Sequence, residues 1–162
     1  GSEMCIRDSQ GSVHAGALLM VTNCTHAIAV ENAKFSAPEI LRGVWPHMVM
    51  AGLFRVMPKR AGLDFVMRGQ PIDAKKAKEW GLINEFVNAD ELDDYVKKLS
   101  EELASLAPGT MSFGLEAYEK QDSLAFDEAL PFLQKQIAKT FEGPDAKEGI
   151  AAFLEKRKPN WD

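Results

Sequence analysis

The chain has 162 residues, of which 46% are hydrophobic and 27% charged, with a net charge of −5 and a pI near 5.3. That length and balance suit a globular domain with a real core, and the acidic surplus argues against a nucleic-acid partner, which calls for a basic stripe. No apolar run reaches the ~18 residues of a membrane span, and "ALLMV" has no basic lead-in of the kind that opens a signal peptide. Cys5 and Cys24 form no Cys-x-x-Cys pattern, and the three histidines are scattered. We therefore expect free thiols, no metal, no cofactor and a reducing, cytoplasmic location.

Residues 1–9, "GSEMCIRDS", show no periodicity and read as a non-native or disordered leader. "QGSVHAGALLMVTNC" follows, and its apolar part predicts a short buried helix from Ala17 to Asn23. "HAIAVENAKFSA" contains two β-like runs, 26–30 and 34–37, and reads as strand–turn–strand. Residues 44–69 are helical, interrupted at Pro58 and closed by Gly69. Asp73 is placed as an N-cap, Gly81 as the residue just past a helix end, and "LINEFV" (82–87) as a strand.

Asn88 and Glu91 have capping-box spacing. Leu92, Tyr95, Val96, Leu99, Leu103 and Leu106 then mark one stripe of a long helix that ends before Pro108. The rest is helical, with Pro131 at a helix start or kink and Asp145 capping the last helix. The wide apolar faces of these helices require a large surface to cover them, either a sheet or a partner subunit. The expected organisation is a leader over 1–9, a core over 10–88 and a helical oligomerisation region over 89–162.

Candidate functional residues follow from chemistry. "GSVHAG" lacks the Lys-Ser/Thr of a phosphate-binding loop. Gly16 suits a backbone N–H that holds an oxyanion at the start of a helix; a packing glycine is the plainer reading. Glu39, after Pro38 and among apolar residues, would suit proton transfer if partly buried; an exposed helix-start glutamate is the plainer reading and the one the residues alone favour. His14 is either a base or a hydrogen-bonded loop residue. Trp45, Met48, Met50, Phe54 and Met57 read as core, or as a pliable acyl-chain pocket. "EKRKP" is a solvated helix end or a contact for an anionic ligand.

Taken together, these segments resemble the crotonase family, the enoyl-CoA hydratases and isomerases. "GSVHAGALLM" is similar to the family's glycine-rich segment. "NCTHAIAVENAKFSAPEILRGVWP", "RGQPIDAKKAKEWGLINEFV" and "EGIAAFLEKRKPNW" are similar to three further blocks, in order. The resemblance implies an α/β fold, a crotonase-like ββα superhelix with a C-terminal α-helical trimerisation region. It implies an enoyl-CoA or other acyl-CoA substrate, with coenzyme A as part of the substrate, and a homotrimer or hexamer without nucleic-acid or membrane partners. Gly16 would then donate to the thioester carbonyl and Glu39 would act as acid and base. Trp45 and Pro46 would lie at the substrate, and Phe153 and Lys156 would reach CoA in a neighbouring subunit.

Three departures shape this expectation. Leu19 stands where family hydratases carry a second glutamate, which tilts the reading toward isomerisation, a reaction that needs one base. "HMVMA" (47–51) replaces a glycine-rich run, and Thr25 stands where Asp is usual. The family's N-terminal portion, with the first oxyanion donor, has no counterpart before Gln10. The chain thus reads as a truncated, C-terminal part of the fold that is inactive alone; the alternative is a non-catalytic acyl-CoA-binding or oligomerisation fragment.

Overall fold

A computed structural model describes residues 4–161. They divide into two units, one spanning Cys5–Ser100 and one built from residues 101–161 with Met4. The boundary falls later than residue 88 because the helix that follows begins in the first unit. Leu92 is buried there, and Val96 and Leu99 pack on the same core. Residues 1–3 of the expected leader lie outside the described residues.

The first unit contains two small sheets. Strands β1 (Ile6–Ser9), β3 (His26–Val30) and β6 (Glu85–Val87) are parallel, in the order β1-β3-β6. Strands β2 (Val13–His14) and β4 (Lys34–Ser36) pair in parallel, and β5 (Ile72–Asp73) joins β4 antiparallel. Two expectations are corrected here. Ile6–Ser9 is an ordered strand held by the β3 backbone, a pairing that side-chain periodicity does not reveal. The runs 26–30 and 34–37 are not a hairpin, since β3 and β4 belong to different sheets. The short link at Glu31–Ala33 turns the chain from one sheet to the other, with Glu31 donating to Val87 O and Ala33 to Val30 O.

Strand β3 is buried from Ala27 to Val30, which explains its unbroken apolar run. Phe35, Phe65, Leu18, Ile28, Leu53 and Val66 are sealed in the same core, each contributing ~2 kcal/mol by burial. Helix α1 (Leu18–Thr22) follows a 3-10 turn at Ala15–Ala17. Helices α2 (His47–Val56) and α3 (Lys59–Arg68) are separated at Pro58 as expected, and α4 (Ala74–Glu79) is capped by Asp73, which accepts from Lys76 N at 2.8 Å. Gly81 follows α4 with φ +77°, and a Cβ there would stand 2.9 Å from Val56 O. Helix α1 meets α2 at Gly52, where a Cβ would lie 2.0 Å from Thr22 Oγ1.

Helix α5 (Leu92–Ala104) runs from the first unit into the second. The second unit continues with α6 (Pro108–Gln121), α7 (Phe126–Glu142) and α8 (Pro144–Glu155). Pro131 lies inside α7, so it does not mark that helix's start. Asp145 is not the cap of its own helix. Its carboxylate accepts from Thr110 N at 2.7 Å and so caps α6. The choice between the two helix ends is tertiary and leaves no trace in local spacing.

Candidate active site

The small sheet positions the two principal candidates. His14 and Ser36 are directly paired at the ends of parallel strands β2 and β4. The chain reaches Gly16 two residues past His14 and Glu39 three residues past Ser36. Both therefore leave from the same end of one sheet. Between His14 and Gly16, Ala15 adopts φ +50°, a left-handed conformation that costs an L-residue ~1 kcal/mol. Gly16 is exposed, and a Cβ built on it meets no atom within 4 Å, so open space adjoins its backbone. As the second residue of its helical turn, Gly16 has an N–H without an acceptor inside that turn.

Glu39 lies in the first turn of a 3-10 helix, Pro38–Arg42, with Pro38 at its start and Gly43 left-handed at its end. The helix-start position matches the plainer sequence reading, but the expected exposure does not hold. Glu39 is half-buried, and its Oε2 is sealed from solvent with no hydrogen-bond partner among the described residues. A carboxylate oxygen in that condition is costly unless something meets it. Ala37 and Ile40 beside it supply the apolar setting.

Trp45 follows closely, half-buried against the core, with its Nε1 3.5 Å from Met50 Sδ. Pro46 is buried and opens α2. Leu19 projects from α1 toward α2, with Cδ2 3.5 Å from a Cβ placed on Gly52. His14 Nδ1 lies 2.7 Å from Ser36 Oγ, and Ser36 is only 3% exposed. Sequence spacing hid this pair, because the partners are 22 positions apart and only the β2–β4 register joins them.

The remaining candidates belong to the second unit. Phe153 is 82% exposed on α8, and Lys156 ends that helix with φ +54°. Glu148 accepts from both terminal nitrogens of Arg157 and from Asn160 N at 2.7 Å. These bonds, the Arg157 guanidinium first, hold the Glu148 carboxyl down to about 2. Trp161 Nε1 donates to Ser105 O at 2.9 Å. The last residues are therefore fastened around Lys156.

Two clefts lie apart from the candidate residues. One of 340 Å³ is lined by Asp64, Phe65, Arg68, Pro71, Lys76 and Trp80 in the first unit. An apolar one of 650 Å³ is lined by Ala117, Tyr118, Leu130, Leu133 and Ile137 in the second. Cys5 and Cys24 are free thiols brought into contact by β1 and β3, and burial, then the hydrogen bond with Cys5, pushes the Cys24 thiol up to about 11. Among the described residues no three His, Cys, Asp or Glu side chains could share a metal ion, and no helix is long and apolar enough to cross a membrane.

The sequence profile of the enoyl-CoA hydratase/isomerase family matches residues 4–162. The chain belongs to that family. A solved enoyl-CoA hydratase from Mycobacterium smegmatis superposes with a TM-score of 0.92 at 25% identity, covering 99% of this chain and 62% of that one. The human enoyl-CoA hydratase domain-containing protein 3 superposes with a TM-score of 0.87 at 28% identity, covering 93% and 60%. Mevalonyl-coenzyme A hydratase of Aspergillus fumigatus is 32% identical over 167 residues, which cover 99% of this chain and 61% of that protein. The crotonase-like ββα architecture expected from the four sequence blocks is the observed one, and the chain spans about half to three-fifths of the length of these relatives.

The expected cytoplasmic location is overturned. The human domain-containing protein 3, its rat and mouse counterparts and a Dictyostelium discoideum relative are all named as mitochondrial. Free thiols and an acidic charge do not distinguish one reducing compartment from another, so the sequence held no basis for choosing.

Proposed function

We propose that the protein isomerises the double bond of an enoyl-CoA thioester, with Glu39 as the single acid–base group. The observation that carries this reading is the sealed Glu39 Oε2 without a partner, at the end of the sheet from which Gly16 also emerges. Glu39 takes a proton from C2 of a 3-enoyl thioester. The electron pair moves into the carbonyl, and the dienolate oxygen accepts from the Gly16 N–H. Reprotonation at C4 by the same carboxyl yields the 2-enoyl thioester and restores the base. A donor fixed in advance at the developing charge lowers the barrier without reorganisation.

Leu19 supports isomerisation over hydration, because water addition uses a second proton-handling group and Leu19 supplies none. Trp45 and Pro46, next along the chain from Glu39, are assigned to the acyl group. Phe153 and Lys156 are assigned to coenzyme A bound in a neighbouring subunit, and the exposed apolar residues of α7 and α8, Phe126, Leu130, Ile137, Phe141 and Leu154 among them, to the contacts of a trimer or hexamer.

The test compares isomerisation of a 3-enoyl-CoA with hydration of a 2-enoyl-CoA by the full-length protein. The reading predicts faster isomerisation, and a loss of about 1,000-fold in Glu39→Gln, within the range for removing a positioned acid–base group. Faster hydration overturns the preference, and wild-type turnover by Glu39→Gln overturns the role of Glu39. The second reading, a non-catalytic acyl-CoA binder, also draws on Leu19; it requires tight binding of acyl-CoA with no turnover of either substrate.

A further inference from the structure

We infer that Gly69 is a positioning residue for Glu39: the bare backbone at the end of α3 forms the seat on which the 3-10 helix carrying that carboxylate rests. This inference rests on the enoyl-CoA reading and adds to it a residue outside the reacting groups. A Cβ on Gly69 would stand 2.7 Å from Ile40 Cγ2, 3.1 Å from Leu41 Cγ and 3.4 Å from Ala37 O. Ala37 precedes Glu39 in the chain, and Ile40 and Leu41 follow it. The end of α3 therefore bounds the segment on both sides of the base.

The two sides of this contact are unequally anchored. The 3-10 helix is five residues long and no side chain caps its start. Its end is closed only locally, by Gly43 N and Val44 N donating to Ile40 O and Glu39 O at 3.0 and 3.1 Å. Helix α3 is fixed in the core by Phe65 and Val66, and Gly69 N donates to Phe65 O at 3.1 Å. Gly69 is itself buried, and its φ of +61° ends α3 and presents the bare Cα to the 3-10 helix. A methyl group there would not fit in place. Ile40 is β-branched and stiff at χ1, so it cannot swing clear as a long side chain would. The less anchored partner yields, and Glu39 moves with it. Proton removal from C2 is sensitive to such a shift, since a misplacement of about 1 Å can cost about 100-fold in rate.

The experiment follows C2-proton exchange of an acyl-CoA and isomerisation of a 3-enoyl-CoA by the full-length protein, as wild type, Gly69→Ala and Gly81→Ala. Gly81 is the control. It is also left-handed, at φ +77°, and a Cβ there also meets a close obstruction, but that obstruction is Val56 O of α2, at 2.9 Å. Both substitutions lower the melting temperature. Only Gly69→Ala lowers exchange and kcat, by about 10- to 100-fold, with KM within about threefold of wild type. If Gly69→Ala does not fold, Ile40→Ala takes its place, because it empties the same contact from the other side; exchange should fall at unchanged acyl-CoA affinity, and wild-type exchange would overturn the inference. Wild-type exchange by a folded Gly69→Ala overturns it too, as does an equal fall in Gly81→Ala, which would make the effect one of general stability. If Glu39→Gln abolishes exchange in either case, the enoyl-CoA reading survives. Absence of exchange in the wild type overturns that reading and this inference together.

Discussion

Asp145, in the first turn of α8, accepts from the backbone N–H of Thr110, in the first turn of α6, at 2.7 Å. One carboxylate near the start of one helix thus satisfies the start of another, and it approaches Gly109 so closely that a Cβ there would lie 3.0 Å from Oδ2. Replacing Asp145 with Ala removes the cap and leaves the N–H to solvent. The expected loss is about 1 kcal/mol, read as a melting temperature lower by a few degrees. Asp145→Asn, which keeps an acceptor, should recover most of it.

The α1–α2 crossing predicts a larger effect. A methyl group on Gly52 would overlap Thr22, lying 2.0 Å from Oγ1 and 2.9 Å from Cβ, and would meet Leu19 only in ordinary contact at 3.5 Å. Gly52→Ala should cost about 2 kcal/mol through forced separation of the helices. Pairing it with Thr22→Ala, which removes the obstructing hydroxyl but keeps Cβ at 2.9 Å, should return part of the loss in a double-mutant cycle.

Ala15 offers the opposite case. Its φ of +50° is tolerated by glycine and strained for alanine. Ala15→Gly should leave stability unchanged or raise it by up to ~1 kcal/mol, since relief of strain offsets the added freedom of the unfolded chain. Denaturant unfolding measures this directly; a clear destabilisation would show that Ala15 makes contacts that outweigh its strain.

The Glu148–Arg157 pair predicts a pH dependence. Hydrogen bonds from Arg157, and then from Asn160 N, hold the Glu148 carboxyl down to about 2 when folded, against about 4.3 in an unfolded chain. A depressed carboxyl stabilises the fold above its unfolded value, and that contribution fades as the pH falls toward the folded value. The stability gap between wild type and Glu148→Gln should be flat at neutral pH and close on acidification between about 4.3 and 2. Carbon-13 NMR of the Glu148 carboxyl should show a titration midpoint near 2.

How much of this was legible in the sequence depends on whether the deciding contact is local. The break at Pro58, the cap at Asp73 and the glycines at 69 and 81 act within a few residues, and all four stand where their chemistry places them. The division of β3 and β4 between two sheets, the strand at Ile6–Ser9 and the partner of Asp145 depend on segments far apart in sequence. Glu39 shows the same limit at the site. Its place after Pro38 was readable, but the sealing of one oxygen comes from tertiary packing. His14 and Ser36 each looked ordinary, and only strand register makes them a pair.

Exchange of the C2 protons of an acyl-CoA with deuterated water, followed by proton NMR in the presence of the full-length protein, tests the role of Glu39 most directly. It isolates proton removal from every later step. The account predicts exchange with the wild type and a fall of about 1,000-fold with Glu39→Gln, while thioester binding is retained. Equal exchange by the wild type and Glu39→Gln would contradict it.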